Sequence, residues 1–547
     1  MREPAYDPLD SIVRENPYPY YAELRREAPA YKVPSLGVWA VSRYADVVAI
    51  LRSPERFSSA AMASAVRRPA DLAPEGTEGQ APDPTAASII GSDPPEHTRL
   101  RTIVSRVFTP RRIAALEPRV REIARERLAR FVPTGECDLV ADYAVPLPVS
   151  VIAELLGIDP ERHHDFKRWS DAAMRAVFDS PGQEEAEQIG QHLAEMNEYV
   201  DQVIAARRVR ATDDLIGTLL RAESLDGALT PDEVKIFTFT LLVAGNVTTT
   251  HLIANATLAL LAHPAELAKV ASTPALVAGM LEEALRYDAP VQFLLRTATE
   301  DVELAGVTIP KGAVVAPLSA SANRDERAFP DPDRFDVTRN PKDQLAFGHG
   351  IHFCLGAALA RLEARVAFEE LLPRIDHPLR TDERLTWSNV LTLRGPTALR
   401  LRFEAVADRP VHPVPAAAPR SAHDNEGVVR RFVEAWSRLD PVELAAYFTE
   451  DGTYHNMPLA PISGRAHIEA MIRNFTASWT DTRWEILTLV SAGNVVVAER
   501  IDRTRAGDRS VELPIVGVFE LEQGRIKTWR DYFDLGTYAQ ALSQPGG

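Results

Sequence analysis

At 547 residues the chain is longer than one hydrophobic core serves, so it divides into domains. A formal net charge of −16 argues against nucleic acid or an anionic membrane surface as a partner. Two cysteines, Cys137 and Cys354, are too few for a disulfide framework or a paired-cysteine zinc site and point to a reducing cytoplasm; Met1 to Asp7 shows no apolar run behind a basic start, so no signal peptide is expected.

In chain order, the pattern predicts a short helix over Tyr20 to Glu27 and a strand at Gly37 to Val41. Residues 61–90, rich in Ala, Pro and Gly, read as a long loop of the kind that covers binding sites. Helical patterns dominate from His97 to about Pro290. Within them Ile236 to His263 holds no Asp, Glu, Lys or Arg, which by length suits a membrane span. Asn246, Thr248, Thr249, Thr250, His251 and Asn255 break its apolar character, so a core helix with a polar notch is the expectation, with no membrane partner. Residues 291–317 turn strand-like, with Val302 to Leu304 and Val307 to Ile309 flanking Ala305-Gly306 as a hairpin. Then come a glycine-rich stretch, a helix to about Leu372, and alternating stretches at Leu391 to Leu393 and Ala398 to Phe403.

Residues 405–424 carry Pro410, Pro413, Pro415 and Pro419 among alanines, a semi-rigid tether that sets expected domains of 1–404 and 425–547. Beyond it Val429, Phe432, Val433 and Trp436 fall at i, i+3, i+4, i+7, an amphipathic helix. Val495 to Thr504, Val511 to Leu521 and Ile526 to Phe533 alternate with period two, so the second domain is a small α+β unit.

The chemistry concentrates first at Phe347-Gly348-His349-Gly350-Ile351-His352-Phe353-Cys354-Leu355-Gly356. Glycines this dense permit tight turns, and the cysteine falls at a helix N-terminus, where N–H donors favour a thiolate. A buried structural cysteine is the bland alternative. Glu283 and Arg286 stand three apart on a helix, His97 and Arg101 one turn apart, and Arg296 follows the Pro290-Val291 break. With Ala244-Gly245-Asn246-Val247-Thr248-Thr249, this set resembles the bacterial cytochrome P450 family of haem-thiolate monooxygenases over residues 1 to about 404.

That resemblance implies haem b with Cys354 as the axial thiolate on iron, and His97, Arg101, Arg296 and His352 holding the haem propionates. Glu283 and Arg286 would form a structural pair. Gly245 would open the central helix on the oxygen-binding side, and Thr248 would take part in oxygen activation. The family's usual acid before that threonine is Val247 here, which leaves proton delivery to Thr248, Asn246, waters or a substrate hydroxyl. Further implications are O2 as co-substrate, electrons from NAD(P)H through a separate ferredoxin and ferredoxin reductase, and a hydrophobic small-molecule substrate.

In the second domain Tyr454 and Asn456 share a face if extended, as do Arg500 and Asp502, and Asp531 lies on another strand. Two carboxylates with an arginine between them suit acid/base work on a positioned water, while strand salt bridges are the plain alternative. Tyr454-His455-Asn456-Met457-Pro458-Leu459, Glu499-Arg500-Ile501-Asp502, Gly517-Val518-Phe519 and Trp529 to Asp534 resemble the limonene-1,2-epoxide hydrolase family, within the nuclear-transport-factor-like (SnoaL-like) cone fold. By that resemblance Asp502 protonates an epoxide, Asp531 takes a proton from water, Tyr454 and Asn456 hold that water, and Arg500 bridges the carboxylates. The expected fold class is a mostly α cytochrome P450 fold with small β-sheets, followed by a small α+β cone of curved sheet plus helices. The expected function is alkene epoxidation followed by opening with water or with a substrate hydroxyl. The competing reading is a hydroxylase whose second domain only dimerises or binds substrate, and a homodimer through that domain is one partner the sequence allows.

Overall fold

Thr230 begins the longest helix among the described residues, Pro231–Ala262. Its hydroxyl accepts from the Glu233 N–H at 3.2 Å while the Glu233 carboxylate accepts from the Thr230 N–H at 2.7 Å, a reciprocal cap that satisfies two end donors before Pro231 sets the first turn. By length and composition this helix could cross a membrane. Here it is a core element: Leu252, Ile253, Ala254, Ala256, Ala259 and Leu260 are buried against the helices Glu117–Phe131, Val277–Tyr287 and Ala357–Leu371. The computed structural model describes residues 4–62, 88–105, 108–178, 182–210, 212, 214–221, 229–339, 341–406, 419–456, 461–507 and 509–532. Contacts divide the chain into two units, Met1–Pro410 and Val411–Gly547.

The first unit is mostly helical, with short strands gathered into a five-, a three- and a two-stranded sheet. The hairpin forms between Val302–Leu304 and Val307–Ile309, with Ala305 and Gly306 both at positive φ as its two-residue turn demands. The first expected helix runs Tyr18–Glu27 and the first strand Trp39–Val41. Leu391 to Leu393 forms no strand; Leu393 makes one isolated bridge to Val291, and the last strand of the unit is Arg400–Ala405. Of the loop expected over 61–90, residues 63–87 lie outside the described residues, as do 407–418 of the tether.

The second unit is a six-stranded sheet packed by helices. Its strands are Phe448–Asn456 (β1), Ile462–Ser463 (β2), Asp481–Ala492 (β3), Val495–Ala506 (β4), Arg509–Glu522 (β5) and Arg525–Tyr532 (β6), ordered β2-β1-β6-β5-β4-β3. β1 and β6 pair in parallel, and the other pairs are antiparallel. Val429, Phe432, Val433 and Trp436 turn inward from the helix Pro419–Ala435 and the turn after it. There they meet Phe448, Ile468, Phe519 and Trp529, an aromatic-rich core.

Candidate active sites

In the first unit the glycine-rich loop turns on Gly348 and Gly350, at φ +72° and +71°, where a Cβ is strained. A Cβ on Gly350 would also strike the Leu51 carbonyl, so the loop is drawn against the helix Tyr44–Arg52 by having no side chain there. The turn Gly350–His352 presents Cys354, whose N–H donates to Phe347 O at 2.9 Å, just ahead of the helix Ala357–Leu371. Burial pushes the Cys354 thiol up, against the Gly356 N–H and the Arg101 and Arg361 guanidiniums, which favour the thiolate.

His97 and Arg101 come from one face of the helix Glu96–Ser105. The His97 and His352 rings stand 4.2 Å apart, and His352 Nε2 is 2.8 Å from Ser59 Oγ. Buried Arg296 donates to the carbonyl of its neighbour Leu295 at 2.8 Å. Burial first, then Arg296, His97 and Arg101, pulls His352 down to about 3. Burial and Arg101 also lower His97, whose Nε2 is buried without a partner. Two guanidiniums beside two imidazoles, one of them with an unanswered Nε2, suit a place where anions are held. The set fits the two carboxylates of the haem implied by the sequence, with Cys354 in reach as ligand.

On the central helix Thr248 Oγ1 donates to Ala244 O at 2.7 Å. Gly245 admits the neighbouring helix Pro146–Leu155, since a Cβ there would lie 2.8 Å from Ile152 Cδ1. Asn246, one of the residues considered as a substitute for the acid missing at Val247, is turned elsewhere: its Nδ2 donates to Ser170 Oγ at 2.8 Å, on the helix His163–Phe178. A group the sequence reading passed over is Glu363. It is buried, one carboxylate oxygen lacks a partner, and burial lifts it to about 8, partly offset by the Thr249 hydroxyl. The signal was legible: Leu359, Leu362, Glu363 and Val366 share one apolar helix face, and only one of them ionises.

Glu283 and Arg286 are both fully buried and bidentate, at 2.8 Å each way. Arg286 also donates to the carbonyls of Asn323, Pro332 and Arg334, and Glu283 accepts from Asp336 N–H and Arg339 Nε. Every polar atom of the pair is used to hold the segment that leads toward the cysteine loop.

In the second unit the inner sheet face brings the five predicted residues together. Arg500, fully buried on β4, donates from Nε to Asp502 Oδ1 at 2.9 Å. Its Nη1 and Nη2 donate to Asp531 Oδ1 and Oδ2 on β6 at 3.0 and 2.6 Å. Trp529 Nε1 adds a 2.7 Å hydrogen bond to Asp531. Parallel β1/β6 pairing sets Asn456 opposite Asp531 and Tyr454 opposite Trp529, with the Tyr454 and Trp529 rings 4.3 Å apart. The Asn456 Oδ1 is buried with no partner. Burial, with the Asp531 charge adding to it, raises Asp502 to about 7 despite Arg500. Asp531 is raised too, again by burial against Arg500.

The sequence reading assigned no roles to Trp484 and Trp529, which flank the Arg500 guanidinium at 4.6 and 5.6 Å and confine it. It also gave none to Gly517, which lies opposite Asp531 in the ladder. A Cβ there would strike Arg500 Nη1 and come within 2.9 Å of Asp531 Oδ1. Gly517→Ala is therefore expected to cost about 1–3 kcal/mol of stability in this unit. Denaturant unfolding followed by tryptophan fluorescence checks this.

A family model for cytochrome P450 matches residues 274–396, and one for the limonene-1,2-epoxide hydrolase catalytic domain matches residues 423–544. Cytochrome P450 107B1 of Saccharopolyspora erythraea is 37% identical over 409 residues, covering 72% of this chain and 96% of its own. The vitamin D(3) 25-hydroxylase of Pseudonocardia autotrophica is 42% identical over 370 residues, 67% of this chain and 88% of its own. The structure of cytochrome P450 CYP109Q5 from Chondromyces apiculatus aligns with TM-score 0.66 and 42% identity over 74% of this chain and 99% of that one. The chain is a cytochrome P450 monooxygenase, taking haem iron, O2 and electrons from an external redox partner, with a limonene-1,2-epoxide hydrolase-like domain at its C-terminal end.

Proposed function

We propose that the chain is a bifunctional enzyme: its first unit epoxidises an alkene in a hydrophobic small molecule and its second opens that epoxide. The observation that carries this is the Arg500-bridged pair of buried carboxylates, Asp502 and Asp531, beside Tyr454 and Asn456. A binding or dimerising module has no need of two raised carboxyl groups on one guanidinium.

Cys354 would hold haem, which when bound would supply oxygen-transfer chemistry from O2. The chain's own part there is to hold and to protonate: His97, Arg101, Arg296 and His352 would fix the propionates, and Thr248 would present a hydroxyl. With Val247 unable to carry a proton, Glu363 is a buried acid in touch with Thr249 of the central helix, and burial keeps it protonated at neutral pH. Glu363→Gln is expected to lower product formed per reductant consumed, and Val247→Asp to raise it. A coupling ratio unchanged in both variants removes these residues from proton supply.

In the second unit protonated Asp502 gives its proton to the epoxide oxygen as the C–O bond breaks. Ionised Asp531 takes a proton from the attacking hydroxyl, which Tyr454 and Asn456 hold in place. Water as attacker gives a vicinal diol, and a substrate hydroxyl gives a cyclic ether. With limonene in the test panel, oxidation in 18O-labelled water distinguishes them: a diol carries one labelled oxygen and an internally formed ether none. Products that stop at an alcohol from C–H hydroxylation defeat the proposal.

We place the protein in the cytoplasm, with a ferredoxin-type electron donor. This rests on the family and on two unpaired cysteines. A homodimer through the second unit is supported by Leu487, Val490, Val516 and Tyr532, large apolar side chains exposed on its sheet. Sedimentation should give a dimer for the native chain and a monomer for Val516→Asp.

A further inference from the structure

In the first unit a cavity of about 890 Å³ is lined by residues of the helices Glu117–Phe131 and Pro146–Leu155 and of the paired strands Glu136–Asp138 and Arg400–Ala405. Four arginines line it, Arg127, Arg130, Arg400 and Arg402, in a chain of net charge −16. Elsewhere in this unit arginines are commonly paired: Arg119 with Glu154, Arg121 and Arg125 with Glu370, Arg365 with Glu117. Here, among the described residues, Arg127, Arg130 and Arg402 form no ion pair, and Arg400 reaches Asp382 at a long 3.8 Å.

Three acids share the cavity wall, Glu136, Asp138 and Asp142, which leaves the four arginines in excess. Asp138 Oδ1 accepts from the N–H groups of Val140 and Leu399 at 3.0 Å each, and Asp142 Oδ2 accepts from the Asp138 N–H at 2.9 Å. Glu136 is exposed and forms no ion pair with Arg402, its cross-strand neighbour. Arg127 makes one long contact, 3.4 Å to Ser150 Oγ, and its Nε is buried with no acceptor. Burial and the neighbouring Arg130 both press on its charge. Half-buried Arg127, with exposed Arg130, Arg400 and Arg402 at the rim, is matched by a phosphate group, which accepts from guanidinium two bonds at a time. Phe131, Val149, Ala153 and Leu401 supply an apolar wall beside it.

We propose that this cavity is a second binding site, for a phosphate monoester or diphosphate carried on an apolar body. The lining shares no residue with Cys354 or with the set around His97, so the site serves a ligand other than the one oxidised.

The test uses full-length, haem-loaded protein titrated calorimetrically with methyl phosphate and octyl phosphate. Saturable binding is expected, tighter for octyl phosphate, weaker at high salt, and weakened about tenfold or more in Arg127→Gln/Arg402→Gln. Arg402→Lys, which keeps charge but loses the fork, is expected to fall between. The haem absorption spectrum should not move on addition, which separates this cavity from the substrate pocket, and its native form certifies each variant as folded. If the double variant does not fold, exposed Arg400→Gln with Arg402→Lys serves in its place. Absence of saturable binding at millimolar probe, or equal affinity in native and variant protein, overturns the proposal. So does a variant that weakens ferredoxin binding while phosphate binding stays absent, which makes the patch a protein-docking face.

Discussion

Protein carrying both Asp502→Asn and Asp531→Asn should release epoxide where the native chain releases diol or cyclic ether. Removing a general acid and a general base together is expected to slow opening by at least about 10²–10⁴-fold, while substrate oxidation continues at its native rate. The experiment is a product analysis of reconstituted native and variant enzyme, and identical product mixtures would falsify the assignment of both carboxylates. The same residues predict a pH profile for opening a supplied epoxide. Asp502 must hold its proton, and burial sets it at about 7, so kcat/KM should fall above pH 7, about tenfold per unit once well past it. A carboxyl group raised in the fold stabilises it fully only below the ordinary carboxylate range. That contribution from Asp502 is lost as pH climbs from about 4 to about 7, so the second unit should unfold more readily at pH 8 than at pH 5. Thermal unfolding across that window gives the sign directly.

The second large effect is expected at Cys354. Cys354→Ser should abolish oxidation and change the absorption spectrum of the reduced, carbon-monoxide-bound protein, because an alcohol does not replace a thiolate on iron. The variant should nevertheless open a supplied epoxide as fast as the native chain, since Tyr454, Asn456, Arg500, Asp502 and Asp531 all lie in the other unit. Loss of both activities would mean that the second unit depends on a loaded first unit.

Much of this was legible because the chemistry is written in short spacings. Glu283 and Arg286 are one helical turn apart, Arg500 and Asp502 two residues apart on a strand, and each pair meets through local geometry alone. The contact of His97 with His352 spans more than half the first unit; only the order of the family motifs anticipated it. Other features escaped the sequence for physical reasons. Gly517 is a glycine because Arg500 fills the space of its side chain, which depends on the β4/β5 register. β3 was missed because charged and apolar residues alternate imperfectly through a bulge between Ile486 and Thr488. Asn246 carries the right polarity for the proton path, but helical rotation commits it to Ser170.

The guanidinium shared by Asp502 and Asp531 has a consequence for turnover. On the proposed mechanism, opening an epoxide would replace the proton leaving Asp502 by one arriving on Asp531, so the three residues would carry the same total charge before and after. A neutral substrate would give a neutral product. The resting form would then be restored by moving a single proton from one arm of Arg500's clasp to the other, directly or by exchange through water. On that reading the two aspartates differ by environment rather than by kind, and the enzyme's direction would reside in which of them burial favours as the acid.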